Sequence, residues 1–376
     1  MSTQRTSALV CDLTRPASFK RFMALSAAII VSVLVASCDP FHTGFAPIEE
    51  AKTYQAQNLQ KVTSPQTLKV MNYNLKFGGA RLDFFFDCHG DRVLMQKSEV
   101  LSHLDALVEL INELDPDLLF IQEIDVLSKR SAYIDQVQYI LDHSQLNYGA
   151  YASQWRADYV PSDGIGPVDS GNAILAKTEI INAQRLALPL RTDQGGLTKY
   201  FYLRRNLLVA NLNLTSPIRL VGTHLSAYSK DNTKFKQLAL FEEELSKYSG
   251  LVIGAGDLNT LPPGSKELKN FPDSVCEDEF TADDFSEETD YLQGLYDTYH
   301  SAISLSDYQK DNIEDTGLYF THTTDKNGSW NRKLDYIFTN IPLVEGSGKT
   351  YQDTTEGGIA LMPLSDHAPL TVEIQL

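Results

Sequence analysis

Leu251-Val252-Ile253-Gly254-Ala255-Gly256-Asp257-Leu258-Asn259-Thr260 is an apolar run that reaches a glycine and then presents an acid and an amide two residues apart. Alternate residues of a strand share a face. A strand continuing through this end therefore aims one carboxylate and one carboxamide, Asp257 and Asn259, into a single space. An apolar strand whose polar groups gather at its carboxyl end is the layout of an α/β active site. The stretch predicts a layered α/β domain, with a site at the strand end if other segments deliver matching groups.

Working outward, the pattern recurs. Leu68 to Leu75 reads as a strand carrying Asn72-Tyr73-Asn74 at its end. Lys97 to Leu114 has apolar residues at Val100, Leu101, Leu104, Leu107, Val108, Ile111 and Leu114, which is helical spacing, and Asp115-Pro116 stops it. Leu118-Leu119-Phe120-Ile121 is a buried strand ending at Gln122-Glu123. Further strands are expected at Asn172 to Ala176, Asn206 to Leu214, Arg219 to Thr223, Leu334 to Thr339 and Leu370 to Ile374, and a helix at Thr233 to Tyr248. Several strands follow one another without an intervening helix, so the sheets are expected to be mixed rather than wholly parallel.

The groups at these strand ends form a chemical set. Thr223-His224 ends one strand, Asp335 stands inside the apolar Leu334-Asp335-Tyr336-Ile337-Phe338, and Ser365-Asp366-His367 precedes the last strand. A carboxylate at a strand end is commonly a turn cap, but an acid inside an apolar run needs a partner. Oxygen donors without cysteine suit Mg²⁺ or Mn²⁺ rather than structural zinc. Two histidines with carboxylate partners orient or protonate a phosphoryl group. Asn172 and Arg204-Arg205 are weaker phosphate-binding candidates, for which a structural role is equally open.

Taken in order, Asn72-Tyr73-Asn74, Gln122-Glu123, Gly222-Thr223-His224, Gly256-Asp257-Leu258-Asn259, Leu334-Asp335-Tyr336 and Ser365-Asp366-His367 resemble the endonuclease/exonuclease/phosphatase superfamily. That group includes pancreatic-type deoxyribonucleases, abasic-site endonucleases, inositol polyphosphate phosphatases and neutral sphingomyelinases. The resemblance implies a four-layer α/β sandwich, two mixed β-sheets face to face with helices outside. It implies Glu123 as metal ligand with Asn74 beside it, and Asp366 as a second ligand or as a tuner of His367. Asp257 would activate water, Asn259 would hold the water or phosphate, and His224 would donate to a phosphate or leaving-group oxygen. His367 would contact the scissile phosphate with Asp335 behind it. The chain departs from abasic-site endonucleases at Lys76, where they carry an acid, which puts a second metal ligand there in doubt.

The amino-terminal segment reads as an address. Lys20-Arg21 precede the apolar run Phe22 to Val35, followed by Val35-Ala36-Ser37-Cys38. The run is shorter than the roughly 20 residues a bilayer span needs. A basic flank, a short apolar core and small residues fit an export signal. The ending resembles a bacterial lipoprotein cleavage box, which would make Cys38 the lipidated first residue; residues 1–19 make the leading flank unusually long, which leaves a translation start at Met23 open. The expected organisation is a signal over 1–37, a polar tether over 38–66 and one domain over 67–376. The chain carries a net charge of −17, and removing residues 1–37, at +3, leaves −17 − 3 = −20. Such a field does not attract polyanions. Lipid head groups or small phosphoesters are therefore expected ahead of nucleic acid, with an extracytoplasmic nuclease and a non-catalytic binding protein as alternatives, and a monomer anchored outside the cytoplasm. An exported setting permits a disulfide between Cys88 and Cys276. Phe84-Phe85-Phe86 either packs on the core or forms an apolar rim. Asp273 to Asp290, with nine acids and no Lys or Arg, reads as a solvated loop.

Overall fold

Val70 and Met71 are neighbours on one strand, yet they belong to different hydrophobic cores. That alternation sets the architecture. The computed structural model describes residues 39–62, 65–87, 90–227, 231–273, 283–310 and 317–376. The chain divides into two units, Met1–His42 and Thr43–Leu376, and the sheets belong to the second. In the first, the described residues form a turn closed by the His42 N–H on the Asp39 carbonyl. No helix among the described residues is long and apolar enough to cross a membrane.

Two seven-stranded sheets form. The first runs β1 (Ile48–Glu50), β7 (Ile180–Ala187), β8 (Asn206–Leu212), β9 (Ile218–His224), β10 (Leu251–Asp257), β12 (Asp335–Thr339), β11 (His300–Ser301). The second runs β13 (Lys349–Thr350), β14 (Leu370–Gln375), β3 (Thr67–Asn74), β4 (Leu118–Asp125), β6 (Gly166–Ala176), β5 (Tyr148–Val160), β2 (Lys52–Gln55). Both are mixed: β9 with β10 and β3 with β4 are parallel, and their other pairings are antiparallel.

Between the sheets lies a core holding Val70, Phe120 and Ile174 from one and Leu220, Ile253 and Ile337 from the other. On the outside of the second sheet, Met71, Tyr73, Leu119 and Ile121 meet α1 (Lys97–Leu114) and α2 (Gln136–His143). The short α3 (Gly196–Phe201) lies in the β7–β8 connection. On the outside of the first sheet, Val221, Val252 and Phe338 meet α4 (Thr233–Ser246) and α5 (Gln293–Thr298). The result is the expected four-layer sandwich. Alpha1 ends where the sequence indicated: Asp115 takes a left-handed conformation and its N–H bonds the Ile111 carbonyl. Gly254 admits the close approach of α4, since a Cβ there would lie 2.7 Å from Phe241 and 2.8 Å from Leu245. An added methyl would cost about 1–3 kcal/mol by overpacking.

Three expectations need correction. The tether does not extend to residue 66, because Ile48–Glu50 and Lys52–Gln55 are edge strands pairing with β7 and β5 of opposite sheets. Their side chains are mostly exposed, so no apolar alternation marks them. Beta5 and β7 were also not expected. The acidic segment is not simply solvated, because Asp273 and Asp283 bind Arg332, and Glu288 binds Lys234. Phe84 is fully buried and stacks on Phe86, on the packing side of the two readings for that triplet. Cys38, Cys88, Cys276 and most of the acidic stretch between Asp273 and Asp283 lie outside the described residues.

Candidate active site

Every strand that carries a site residue delivers it on the inter-sheet face at one end of the sandwich. On β3 the alternation that buries Val70 between the sheets also directs Asn72 and Asn74 there. On β10, Ile253 and Ala255 lead to Asp257, and on β9, Leu220 leads to His224. Beta12 is antiparallel to β10, so its first residue, Asp335, arrives at the same end, directly opposite Asp257. His224 is the in-register partner of Asp257 on the other side. Glu123 breaks the alternation, which would send it outward after the inward Gln122. The register of β4 against β6 shifts between Ile121 and Ile124, and Glu123 takes φ 53°. This bulge returns its carboxylate to the site, where Oε1 lies 3.4 Å from Asn74 Nδ2 and 3.9 Å from His224 Nδ1.

Asp257 is the hub. Its Oδ1 accepts the Asn259 N–H at 3.0 Å. Its Oδ2 accepts Asn74 Nδ2 at 3.1 Å and lies 3.3 Å from His224 Nε2 and 3.6 Å from His367 Nε2. Asp335 Oδ2 meets His367 Nδ1 at 2.7 Å, and its Oδ1 accepts Asn72 Nδ2 at 3.1 Å. Burial pushes Asp257 up to about 7, Asp335 adds to the rise and His367 opposes it. Burial would lower His367, but Asp335 and Asp257 lift it to about 10. Burial drives His224 well below its ordinary range, with Arg205 and His367 adding to the fall. Neutral His224, imidazolium His367 and a carboxylate titrating near neutrality therefore stand together.

Asn259 corrects one expectation. The strand ends at Asp257, Asn259 turns left-handed (φ 49°), and its Nδ2 donates to the Leu225 carbonyl at 3.1 Å. Its side chain thus braces a loop rather than sharing a face with Asp257. Asn74 also differs from a simple metal ligand: its Oδ1 accepts the Lys76 N–H at 3.1 Å, so its amide nitrogen faces the carboxylates. Of the weaker candidates, Arg205 is buried in the site, where its charge acts on Glu123 and Asp257, and its Nη1 donates to Gln154 Oε1 at 3.0 Å. Arg204 serves the framework, its N–H bonding the Gln154 carbonyl and its own carbonyl accepting from Arg185. Asn172 is buried, donates to Asn206 Oδ1 at 3.4 Å and leaves its own oxygen without a partner.

The donor set fits a hard cation. Glu123 is 32% exposed at the mouth, and burial and the Asp366 charge raise its carboxyl above the ordinary range. Two mutually repelling carboxylates, Glu123 and Asp366, suit an ion that keeps several waters. Among the described residues no three or more His, Cys, Asp or Glu side chains converge to hold a metal by themselves. Asp366 is held below its ordinary range against its own burial by Lys76, His367 and Arg81. Lys76 Nζ lies 3.7 Å from Asp366 and 3.0 Å from Asp87, so a fixed ammonium stands beside Asp366.

Sequence reasoning missed His322 and Lys234. The His322 ring packs edge-on against His367 with centroids 4.6 Å apart, and its Nδ1 is buried without a partner. Its flanking threonines carried no signal. Lys234 opens a helix, where a lysine ordinarily faces water; here it is buried against the Asn259 loop.

Over residues 71–367 the sequence matches the model of the Endonuclease/Exonuclease/phosphatase family. No curated protein matches it significantly. Among solved structures, an endonuclease/exonuclease/phosphatase from Beutenbergia cavernae is similar at 16% identity and TM-score 0.51, covering 83% of this chain and 72% of that one. A family protein from Leptotrichia buccalis is 16% identical, with TM-score 0.51 over 82% of this chain and 100% of its own. One from Bacteroides vulgatus is 13% identical, with TM-score 0.50 over 83% and 100%. At these identities the likeness shows the fold.

Proposed function

The chain belongs to the endonuclease/exonuclease/phosphatase family, and from that premise we propose that it is a Mg²⁺- or Mn²⁺-dependent phosphodiesterase acting on a lipid head group or another small phosphoester. The family chemistry is phosphoester hydrolysis, generally with a divalent metal. The observation that carries the reading is Asp257, a buried carboxylate lifted to about 7 between a neutral and a charged histidine. Groups driven apart in this way take the base and acid roles.

Asp257 accepts the proton of a water that attacks phosphorus in line, and the bond to the leaving oxygen breaks without a covalent enzyme intermediate. His367, kept charged by Asp335, donates to a phosphate oxygen as negative charge builds. His224 stands with Nε2 3.3 Å from Asp257 Oδ2 and supports the leaving-group side. Asn74 orients the same carboxylate, and Asn259 fixes its other oxygen. Glu123 and Asp366 would hold the metal, which supplies charge neutralisation at the phosphate and a template for the water. Arg205 adds a buried positive charge toward the same phosphate.

The Val35-Ala36-Ser37-Cys38 box supports lipidation at Cys38 and an extracytoplasmic membrane location. The net charge of −17 favours lipid or small-molecule substrates over nucleic acid. Sphingomyelin, phosphoinositide, plasmid DNA and a phosphomonoester compared in one Mg²⁺ buffer test the substrate class. Asp257→Ala and His367→Ala are expected to abolish cleavage while retaining the fold. Absence of hydrolysis by wild type with either metal sinks the reading. Fatty-acid labelling, lost in Cys38→Ser, tests the anchor.

A further inference from the structure

Asn259 holds a backbone conformation that residues with a side chain rarely adopt, φ 49°. Such strain persists where the surroundings over-determine it, and it concentrates at functional sites. Three bonds fix it here. The Asn259 N–H binds Asp257 Oδ1 at 3.0 Å, and its Nδ2 binds the Leu225 carbonyl at 3.1 Å. Its own carbonyl accepts Lys234 Nζ at 2.5 Å. The next carbonyl, that of Thr260, accepts the Tyr336 hydroxyl at 2.8 Å.

Lys234 is an unusual donor. It sits in the first turn of α4 and is only 2% exposed. Its ammonium also meets both oxygens of Glu288 at 2.8 Å. A cation buried this fully is costly unless paired, and no reacting group lies among those contacts. One turn further along α4, Gln237 accepts the Ser226 N–H and donates to the Pro189 carbonyl. The start of α4 thus braces the loops after β9 and β10 together.

We propose that Lys234 is a positioning residue: anchored by Glu288, it pins the Asn259 carbonyl and, through the Asn259 N–H, fixes the Asp257 carboxylate. With Oδ1 engaged, Oδ2 stays directed at Asn74, His224 and the attacking water. Lys234 acts through the Asn259 backbone, and the inference rests on the phosphoesterase reading above.

The test is a coupling experiment on cleavage of bis(p-nitrophenyl) phosphate with Mg²⁺. Lys234→Met keeps the volume and removes the donor. It is expected to lower kcat on the order of 10²-fold, the scale of a small misplacement of a catalytic group, with little change in KM. Asn259→Gly takes the left-handed backbone without strain. Asn259→Gly keeps the backbone carbonyl and N–H, so in that background Lys234→Met is expected to cost less than about threefold because no strained conformation is left for Lys234 to hold. Lys234→Met/Glu288→Gln, which removes both charges of the pair, is expected to lose as much as Lys234→Met alone. By hydrogen exchange, amides 257–260 are expected to open at least about tenfold faster in Lys234→Met while the sheets stay protected. Equal losses in both backgrounds, recovery in the Glu288→Gln double variant, or unchanged exchange over 257–260 overturns the inference. An active wild type with an equally active Lys234→Met sinks this inference alone, whereas an inactive wild type sinks the phosphoesterase reading and this inference with it.

Discussion

Asp335→Asn isolates what keeps His367 charged. Asp335 accepts from Asn72 Nδ2 and meets His367 Nδ1. Asn72 cannot turn its amide, because its own oxygen accepts Gln122 Nε2 at 2.9 Å. The introduced carboxamide must therefore offer its oxygen to Asn72 and its NH₂ to His367. His367 then keeps a bond only by presenting Nδ1 as acceptor, which makes it the neutral tautomer. The lift of His367 from 6.5 to about 10 corresponds to about 5 kcal/mol in favour of the charged form. Asp335 is the largest of the causes that raise it, ahead of Asp257 and Asp366, so removing its charge should lower the pKa of His367. Hydrolysis at mildly alkaline pH is expected to fall at least about 10²-fold. The kcat/KM profile of wild type should rise through about 7 as Asp257 ionises and fall near about 10 as His367 loses its proton. In Asp335→Asn the alkaline limb should move to lower pH. Stability gives a second readout. A histidine with a raised folded pKa stabilises fully below its unfolded value of 6.5, and that contribution is lost as pH rises through about 10. The melting-temperature deficit of Asp335→Asn should therefore be largest in mild acid and shrink toward pH 10. An alkaline limb that stays in place, even with lower activity, refutes the reasoning.

Glu123→Gln is expected to raise the Mg²⁺ concentration for half-maximal activity by at least about tenfold, read by metal titration of the hydrolysis rate. Asp257→Asn should abolish activity yet stabilise the protein at pH 8. A carboxylate whose folded pKa is raised to about 7 costs stability once pH exceeds its unfolded value of 3.8. The expected gain is about 1–3 kcal/mol at pH 8 and little at pH 4, followed by thermal melts. Arg332→Met strips the partner from Asp273, bonded at 2.9 and 3.0 Å, and from Asp283 at 2.9 Å, and should cost about 3–5 kcal/mol in chemical denaturation. Asp273 is held at about 2, so its share is present above 3.8 and lost as pH falls through about 2, and the deficit should shrink in strong acid.

The sandwich was legible because its central strands are apolar throughout and its site residues sit where they end. Alternation from Val70 to Asn74, or from Ile253 to Asp257, needs no partner to be read. Edge strands β1 and β2 were not legible, since their side chains are mostly exposed and register against β7 and β5 is a tertiary fact. Glu123 was found from its place at a strand end, but the bulge that turns it inward is invisible in Gln122-Glu123-Ile124. Asn259 was found for a reason that fails in detail: period two puts it beside Asp257, whereas a left-handed turn puts its N–H on Asp257. Lys234 and His322 carried no signal, because their burial depends on segments distant in sequence.

His224, Asp257 and Asp335 form one cross-strand row, on β9, β10 and β12. Two carboxylates directly opposite on paired strands repel. His367, arriving from the loop before β14, is bonded to Asp335 through Nδ1 and faces Asp257 through Nε2. Its charge therefore offsets the repulsion that the row creates, and the same repulsion keeps the charge on it. His224 has no such pair: one nitrogen faces Asp257, the other is buried without a partner, and Arg205 stands close by. Burial wins there, and electrostatics win at His367. The division of protons follows from which strand end each carboxylate occupies, so Asp335, placed by the β10–β12 register, does as much to assign the acid as either histidine does.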